Sequence, residues 1–142
     1  MSLFQNGYTF KLAPRCSPPT GYPVPFVMVR MRRPFGTPHG VVGKVDTGAA
    51  RTMLTFEQAR ALGIEHPESS RETGLARTAT GQPFAFYLHD VFVEIPVAIG
   101  QTIRFPLKAA FAEELKRNLF GLDWLASLCL AVDRRAVHFL TD

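Results

Sequence analysis

The residues best placed to do chemistry are Asp46-Thr47-Gly48-Ala49, which follow the apolar run that ends in Val45. A lone carboxylate is a weak base toward water. Two carboxylates within about 3 Å of each other cannot both ionise, so the pair holds one proton. The ionised member can then take a proton from water while the protonated one polarises an electrophile. Such a pair titrates as a unit. The triplet alone is not specific, because average residue usage places Asp-Thr/Ser-Gly in roughly one chain of this size in fifteen. Read in isolation it is first an Asx turn, with Asp46 bonding its own backbone and Gly48 supplying a positive φ. The other aspartates are Asp90, Asp123, Asp133 and Asp142, and none precedes Thr-Gly or Ser-Gly. If the Asp46 motif works through such a pair, one chain brings one of the two carboxylates, and the other would come from a second copy across a twofold axis.

The remaining reactive side chains suggest no rival centre. His39, His66, His89 and His138 lack metal-ligand spacing, so no metal and no cofactor are expected. Cys16 and Cys129 form no CxxC pair and no disulfide framework, and free thiols are expected. No GxSxG elbow, phosphate-binding loop or dinucleotide fingerprint is present.

Several elements must position Asp46. Proline recurs over residues 14–25 and predicts an extended arm. Residues 26–31 read as a strand, 34–40 as a turn, and 41–45 as a second strand leading into Asp46. Thr55 with Gln58 three residues on is a capping-box pattern, and Gly63 is placed to stop that helix. Residues 75–80 and 83–88 flank Gly81 as a hairpin, with Phe84, Phe86 and Leu88 alternating against Ala85 and Tyr87. Residues 91–99 and 102–107 read as a separate strand pair turning at Gly100-Gln101. A short helix is expected over 111–117, then the buried run Leu119-Phe120-Gly121, then a helix over 122–128. Residues 130–132 and 136–140 close the chain as a hairpin. The plan is an all-β barrel with small helices.

Three ordered features of this plan resemble the retroviral-type aspartic protease family. Residues 41–64 give strand, Asp-Thr-Gly-Ala, threonine, apolar pair and short helix. The glycine-tipped hairpin at Gly81 falls where that family carries its flap. Asn118-Leu119-Phe120-Gly121 looks like the family's second hallmark, which crosses behind the catalytic loop. The resemblance covers roughly residues 24–140. It implies a retropepsin-like acid protease barrel with one or two short helices and a flap hairpin. It also implies an aspartic endopeptidase that works as a homodimer on an extended peptide. The catalytic residues carried over are Asp46, Thr47 and Gly48, with the Thr47 hydroxyl reaching across to the partner loop. The substrate-binding residues are Ala49, Ala50, Thr78, Ala79, Thr80, Gly81, Gln82 and Phe120. The pattern departs from the family at Ala50 and Arg51, where acidic residues are usual, and at Lys44 in a normally apolar strand. These departures keep open an alternative, a dimerisation or peptide-binding module without turnover. The C-terminal hairpin is expected to form much of the dimer interface.

Composition agrees with a folded domain. The 142 residues are 46% hydrophobic and 20% charged, enough for one core and too apolar for a disordered chain. The expected division is an arm over residues 1–23 and a protease domain over 24–142. Net charge is +4, with Arg30, Arg32 and Arg33 close together, which reads as a solvated basic edge and demands no nucleic-acid partner. Trp124, Leu125 and Leu128 read as a core face, and Phe84, Phe86 and Tyr87 as strand core and flap packing. The first residues lack a signal-peptide pattern and no apolar run is long enough to span a membrane, so a cytoplasmic location is expected, or a membrane only through an anchor elsewhere in a longer chain.

Overall fold

The structure is a computed structural model that describes residues 7–11, 26–98, 101–126, 129–132 and 136–140. Its strands are β1 (Gly7–Lys11), β2 (Phe26–Arg32), β3 (His39–Val45), β4 (Met53–Thr55) and β5 (Thr73–Arg77), then β6 (Pro83–Ala98), β7 (Gln101–Ala112), β8 (Asn118–Phe120), β9 (Cys129–Val132) and β10 (Ala136–Leu140). Two short helices, α1 (Phe56–Ala61) and α2 (Leu122–Leu125), and a 3-10 turn at Pro67–Ser69 complete the described elements.

Six strands close on themselves in the order β2-β3-β8-β4-β7-β6, because β6 pairs back to β2 from Arg30↔Glu94 to Arg32↔Phe92. Closure leaves each of these six strands with a neighbour on both sides. The pairs β3–β8 and β4–β7 are parallel, and the others are antiparallel. β5 lies outside the circuit, paired to the first half of β6. β1, β10 and β9 form a separate antiparallel sheet. The period of two decides what faces inward. Val27, Val29 and Met31 of β2 are buried, as are Val41 and Val45 of β3 and Val91, Val93 and Ile95 of β6. Leu54, Phe111, Phe120 and Trp124 fill the centre.

The sequence pattern misplaces two elements. β6 is one strand where two were expected, since its register with β7 runs from Tyr87↔Phe111 to Ala98↔Gln101 with an irregularity only near Pro96. His89 and Asp90 look like a break but sit mid-strand; His89 Nε2 lies 2.8 Å from the Pro67 carbonyl, and its ring meets Phe111 edge-on. The helix expected over 111–117 is instead the end of β7 followed by turns. Ala109, Ala110, Phe111 and Ala112 are all fully buried, and β7 here lies between β4 and β6. Burial on both faces overrides the helix preference of alanine.

α1 begins as its sequence predicts, with Thr55 Oγ1 accepting from the Gln58 amide at 3.0 Å and Gly63 at φ +84 ending it. The second half of the box differs. Asn118 Oδ1 takes the Thr55 amide at 3.0 Å, and Asn118 Nδ2 donates to Gln58 Oε1 at 3.2 Å and to the Val42 carbonyl at 3.0 Å. One asparagine thus ties α1, β3 and β8 together. The C-terminal hairpin is present as β9 and β10, and β1 adds to it. The expected arm over residues 1–23 is described only at β1, where it is strand. Gly100, the turn over 133–135, residues 127–128 and Cys16 lie outside the described residues.

Candidate active site

Asp46 stands at the end of β3, and the loop it opens is clamped from behind. Its amide donates to the Phe120 carbonyl at 2.9 Å, which extends the parallel β3–β8 ladder by one bond. The Leu122 amide donates to the Ala49 carbonyl at 2.8 Å, and the Gly121 amide to Thr52 Oγ1 at 3.2 Å. Gly121 must be glycine: a Cβ there would run into the Arg51 carbonyl and come within 2.7 Å of the Ala49 carbonyl oxygen. Thr52 is fully buried, and its amide and hydroxyl both donate to Asp123 Oδ1, at 2.7 and 2.8 Å. The same oxygen accepts the Trp124 amide at 2.7 Å, and the Trp124 ring stacks on Phe120 at 4.9 Å. Buried polar groups are tolerated when paired like this, and the pairing fixes one loop geometry.

The carboxylate is half-buried, while Thr47 and Gly48 are exposed. Asp46 Oδ1 accepts the Gly48 amide at 2.9 Å, so the Asx hydrogen bond of the turn reading is formed. The positive φ expected at Gly48 is not; among the described residues the glycines at positive φ are Gly63 and Gly81. Gly48 supplies space instead, since a Cβ there would sit 3.2 Å from Asp46 Oδ1. The Asx hydrogen bond fixes the carboxylate against its own loop.

A cleft of about 1100 Å³ separates this loop from the β5–β6 hairpin. Asp46, Gly48, Ala49 and Ala50 line one side, and Thr78 and Ala79 line the other. Thr80, Gly81 and Gln82 form the exposed hairpin tip beyond those walls. Phe120 lines no cleft: it is fully buried beneath Gly43, where a Cβ would press into its ring at 2.7 Å. Its neighbour Leu119 faces the cleft instead, because side chains alternate along β8. The sequence reading missed an apolar wall of Met53, Phe84, Phe86 and Leu115. With Ala110 and Ala112 these residues form a cluster distinct from the barrel core. The alternation of Phe84 and Phe86 was the available signal, but it does not say which face meets the core. Lys44 and Arg51 line the same cleft as Asp46.

The hairpin is held at both ends. At its tip, Gly81 has φ +85, its amide donates to the Thr78 carbonyl at 2.9 Å, and the Thr78 amide donates to the Gln82 carbonyl at 2.9 Å. This is a three-residue loop with the left-handed residue in the glycine-favoured place. At its base, Ser70 Oγ donates to the Leu88 carbonyl at 2.6 Å, and Lys108 Nζ lies 2.8 Å from both Glu72 oxygens. The hydrogen bond to Glu72, aided by its charge, raises the Lys108 amine above its ordinary value. A second groove, lined by Phe26, Val42, Thr55 and Asn118, lies apart from Asp46. Among the described residues no group of three His, Cys, Asp or Glu could hold a metal, and no helix is long and apolar enough to cross a membrane.

No protein-family profile matches the sequence, and no curated protein matches it significantly. Solved structures do. A retropepsin-like aspartic protease from Rickettsia conorii superposes with a TM-score of 0.54 at 19% identity, over 94% of this chain and 91% of that one. The EIAV protease complexed with the inhibitor HBY-793 gives 0.41 at 20% identity, covering 72% and 86% of the two chains. The retroviral protease-like domain of Ddi1 from Leishmania major gives 0.39 at 17%, covering 82% and 93%. The first of these, with the closed six-strand circuit, shows a retropepsin-like fold.

Proposed function

We propose that this chain, a retropepsin-like barrel presenting one Asp-Thr-Gly loop, is an aspartic endopeptidase whose active site forms between two copies. The observation that carries the proposal is the Asp46 loop: a single carboxylate, pinned by the Gly48 amide and supported from behind by Gly121, Thr52 and Asp123, opens into a long cleft. Fold alone does not give function, so the weight rests on this site.

In the dimer the two Asp46 carboxylates face each other and share a proton. The ionised one takes a proton from a water as that water attacks the scissile carbonyl carbon. The protonated one donates to the carbonyl oxygen, giving a neutral tetrahedral diol. Collapse reverses the roles: one carboxyl protonates the leaving amine and the other recovers the proton from the diol. The Thr47 hydroxyl, exposed beside each aspartate, bonds across to the partner loop and fixes the separation of the pair. The substrate lies extended between the loop and the β5–β6 hairpin, which acts as a flap and excludes water.

The rival reading, peptide capture without turnover, draws on Lys44 and Arg51, two cations that line the cleft with Asp46. A peptide library separates the two. The protease reading expects cleavage by the wild type at mildly acidic pH and none by Asp46→Asn, with unchanged circular dichroism. Binding without cleavage by both proteins would favour the rival.

A further inference from the structure

The cleft is much more basic than the chain as a whole. Lys44, Arg51, Arg77, Lys116 and Arg117 line it, against only the carboxylates of Asp46 and Glu114. None of those five cations forms an ion pair among the described residues, and neither does Glu114. Elsewhere on the barrel Arg32 and Arg104 flank Glu94 and Lys108 holds Glu72, while Arg30, Arg33, Arg60 and Arg71 also lack a carboxylate partner among the described residues but line no part of this cleft, so what sets the cleft apart is five cations gathered around one space. Unmatched charge beside low-dielectric walls focuses a field into the space between them.

Two of the three arginines among them are held on different elements, Arg51 on the Asp46 loop and Arg77 on β5. Arg51, in the loop after Asp46, has its guanidinium 5.7 Å from the centre of the Phe86 ring. Arg77, at the end of β5, donates one N–H to the Gly81 carbonyl at 3.0 Å. A guanidinium has five N–H donors in a planar fork, so donors remain for a carboxylate. The same cleft is lined by the apolar wall of Met53, Phe84, Phe86 and Leu115, and Arg51 sits against one member of it, Phe86. An extended peptide presents alternate side chains to alternate walls, so an apolar residue in the wall has charged neighbours near its rim.

We infer that this cleft selects extended peptides carrying Asp or Glu around a central apolar residue, with Arg51 and Arg77 setting the specificity and Lys44, Lys116 and Arg117 adding a general attraction. The inference rests on the cleft binding a peptide strand, as proposed above. The wall favours a peptide over a nucleic acid because Met53, Leu75, Leu115 and Leu119 offer aliphatic surface to a side chain, whereas bases would stack only on Phe84 and Phe86.

The test uses the full chain with Asp46→Asn, so that binding is read without turnover, and fluorescent peptides sharing a Leu-Phe centre but flanked by Glu, Gln or Lys. The Glu peptide should bind about tenfold more tightly than the Gln peptide, with the Lys peptide weakest, and the gap should narrow from about 0.05 to about 0.5 M salt. Arg51→Gln and Arg77→Gln should each weaken the Glu peptide by about three- to tenfold and leave the Gln peptide within about twofold. Equal affinity for the Glu and Lys peptides overturns the inference, as does a single-stranded oligonucleotide that displaces the Glu peptide at equal concentration. Parallel assays on the wild type keep the two proposals apart. Cleavage without charge preference sinks this inference alone; charge-selective binding with no cleavage sinks the protease reading alone.

Discussion

Asp46 owes its candidacy to what holds it. Replacement by asparagine keeps the side-chain oxygen that accepts the Gly48 amide, so the loop should survive while the shared proton is lost. The expected outcome for Asp46→Asn is a fall in kcat/KM of about a thousandfold or more with an unchanged thermal midpoint. The support behind the loop is equally testable. Thr52→Val removes a buried hydroxyl that donates to Asp123 and accepts from Gly121, and should cost about 1–3 kcal/mol in urea unfolding. An unchanged unfolding midpoint would show that the network does not hold the loop. At this scale the sequence was legible where chemistry is local. Asp46, Thr47 and Gly48 are adjacent, so a triplet reveals them. Thr52 and Asp123 are 71 residues apart, and no local pattern joins them. Phe120 was placed in the substrate site because its segment was recognised, but alternation along β8 turns it inward and Leu119 outward.

The elements were legible where a turn residue or a period is unambiguous. Thr55 and Gly63 bound α1 as expected, and Gly81 tips the hairpin. The failures share a cause: His89-Asp90 looked like a break and 111–117 like a helix because local preference was read where strand pairing decides. The hairpin tip offers a clean probe. A Cβ on Gly81 meets nothing within 4 Å, so the cost of Gly81→Ala is purely backbone, about 1 kcal/mol. A flap role adds a loss of kcat/KM that this small destabilisation does not explain; a variant with full activity would mean that the hairpin does not close on substrate. Phe35 is a further probe, since it is fully exposed and sits at φ +66. Phe35→Asn should raise stability by about 0.5–1 kcal/mol, because asparagine tolerates the left-handed region and no packing is lost. The Lys108–Glu72 bond at the hairpin base carries a pH signature. Because the Lys108 value is raised in the fold, its contribution is complete below the ordinary value of 10.5 and fades as pH rises through the raised one. The gap in thermal midpoint between wild type and Glu72→Gln should therefore shrink in strongly alkaline buffer. A gap that stays constant would mean the bond does not depend on charge.

At the scale of the whole molecule, the barrel closes around one core while the cleft keeps its own apolar cluster, so the site can change without dismantling the fold. The closed circuit was foreseen only as a class. Its order depends on β6 offering one edge to two partners, β5 over Pro83–Tyr87 and β2 over Phe92–Glu94, which no local pattern announces. The dimer is reached by counting, since one chain brings one Asp-Thr-Gly and the chemistry takes two carboxylates. Mixing wild type with Asp46→Asn at fixed total concentration, with time for subunits to exchange, tests that count most directly. An equal mixture should retain about one quarter of the wild-type activity, the share of randomly formed pairs that hold two intact aspartates. Retention of about one half would mean that each chain cuts by itself, and would contradict a site built from two copies of Asp46.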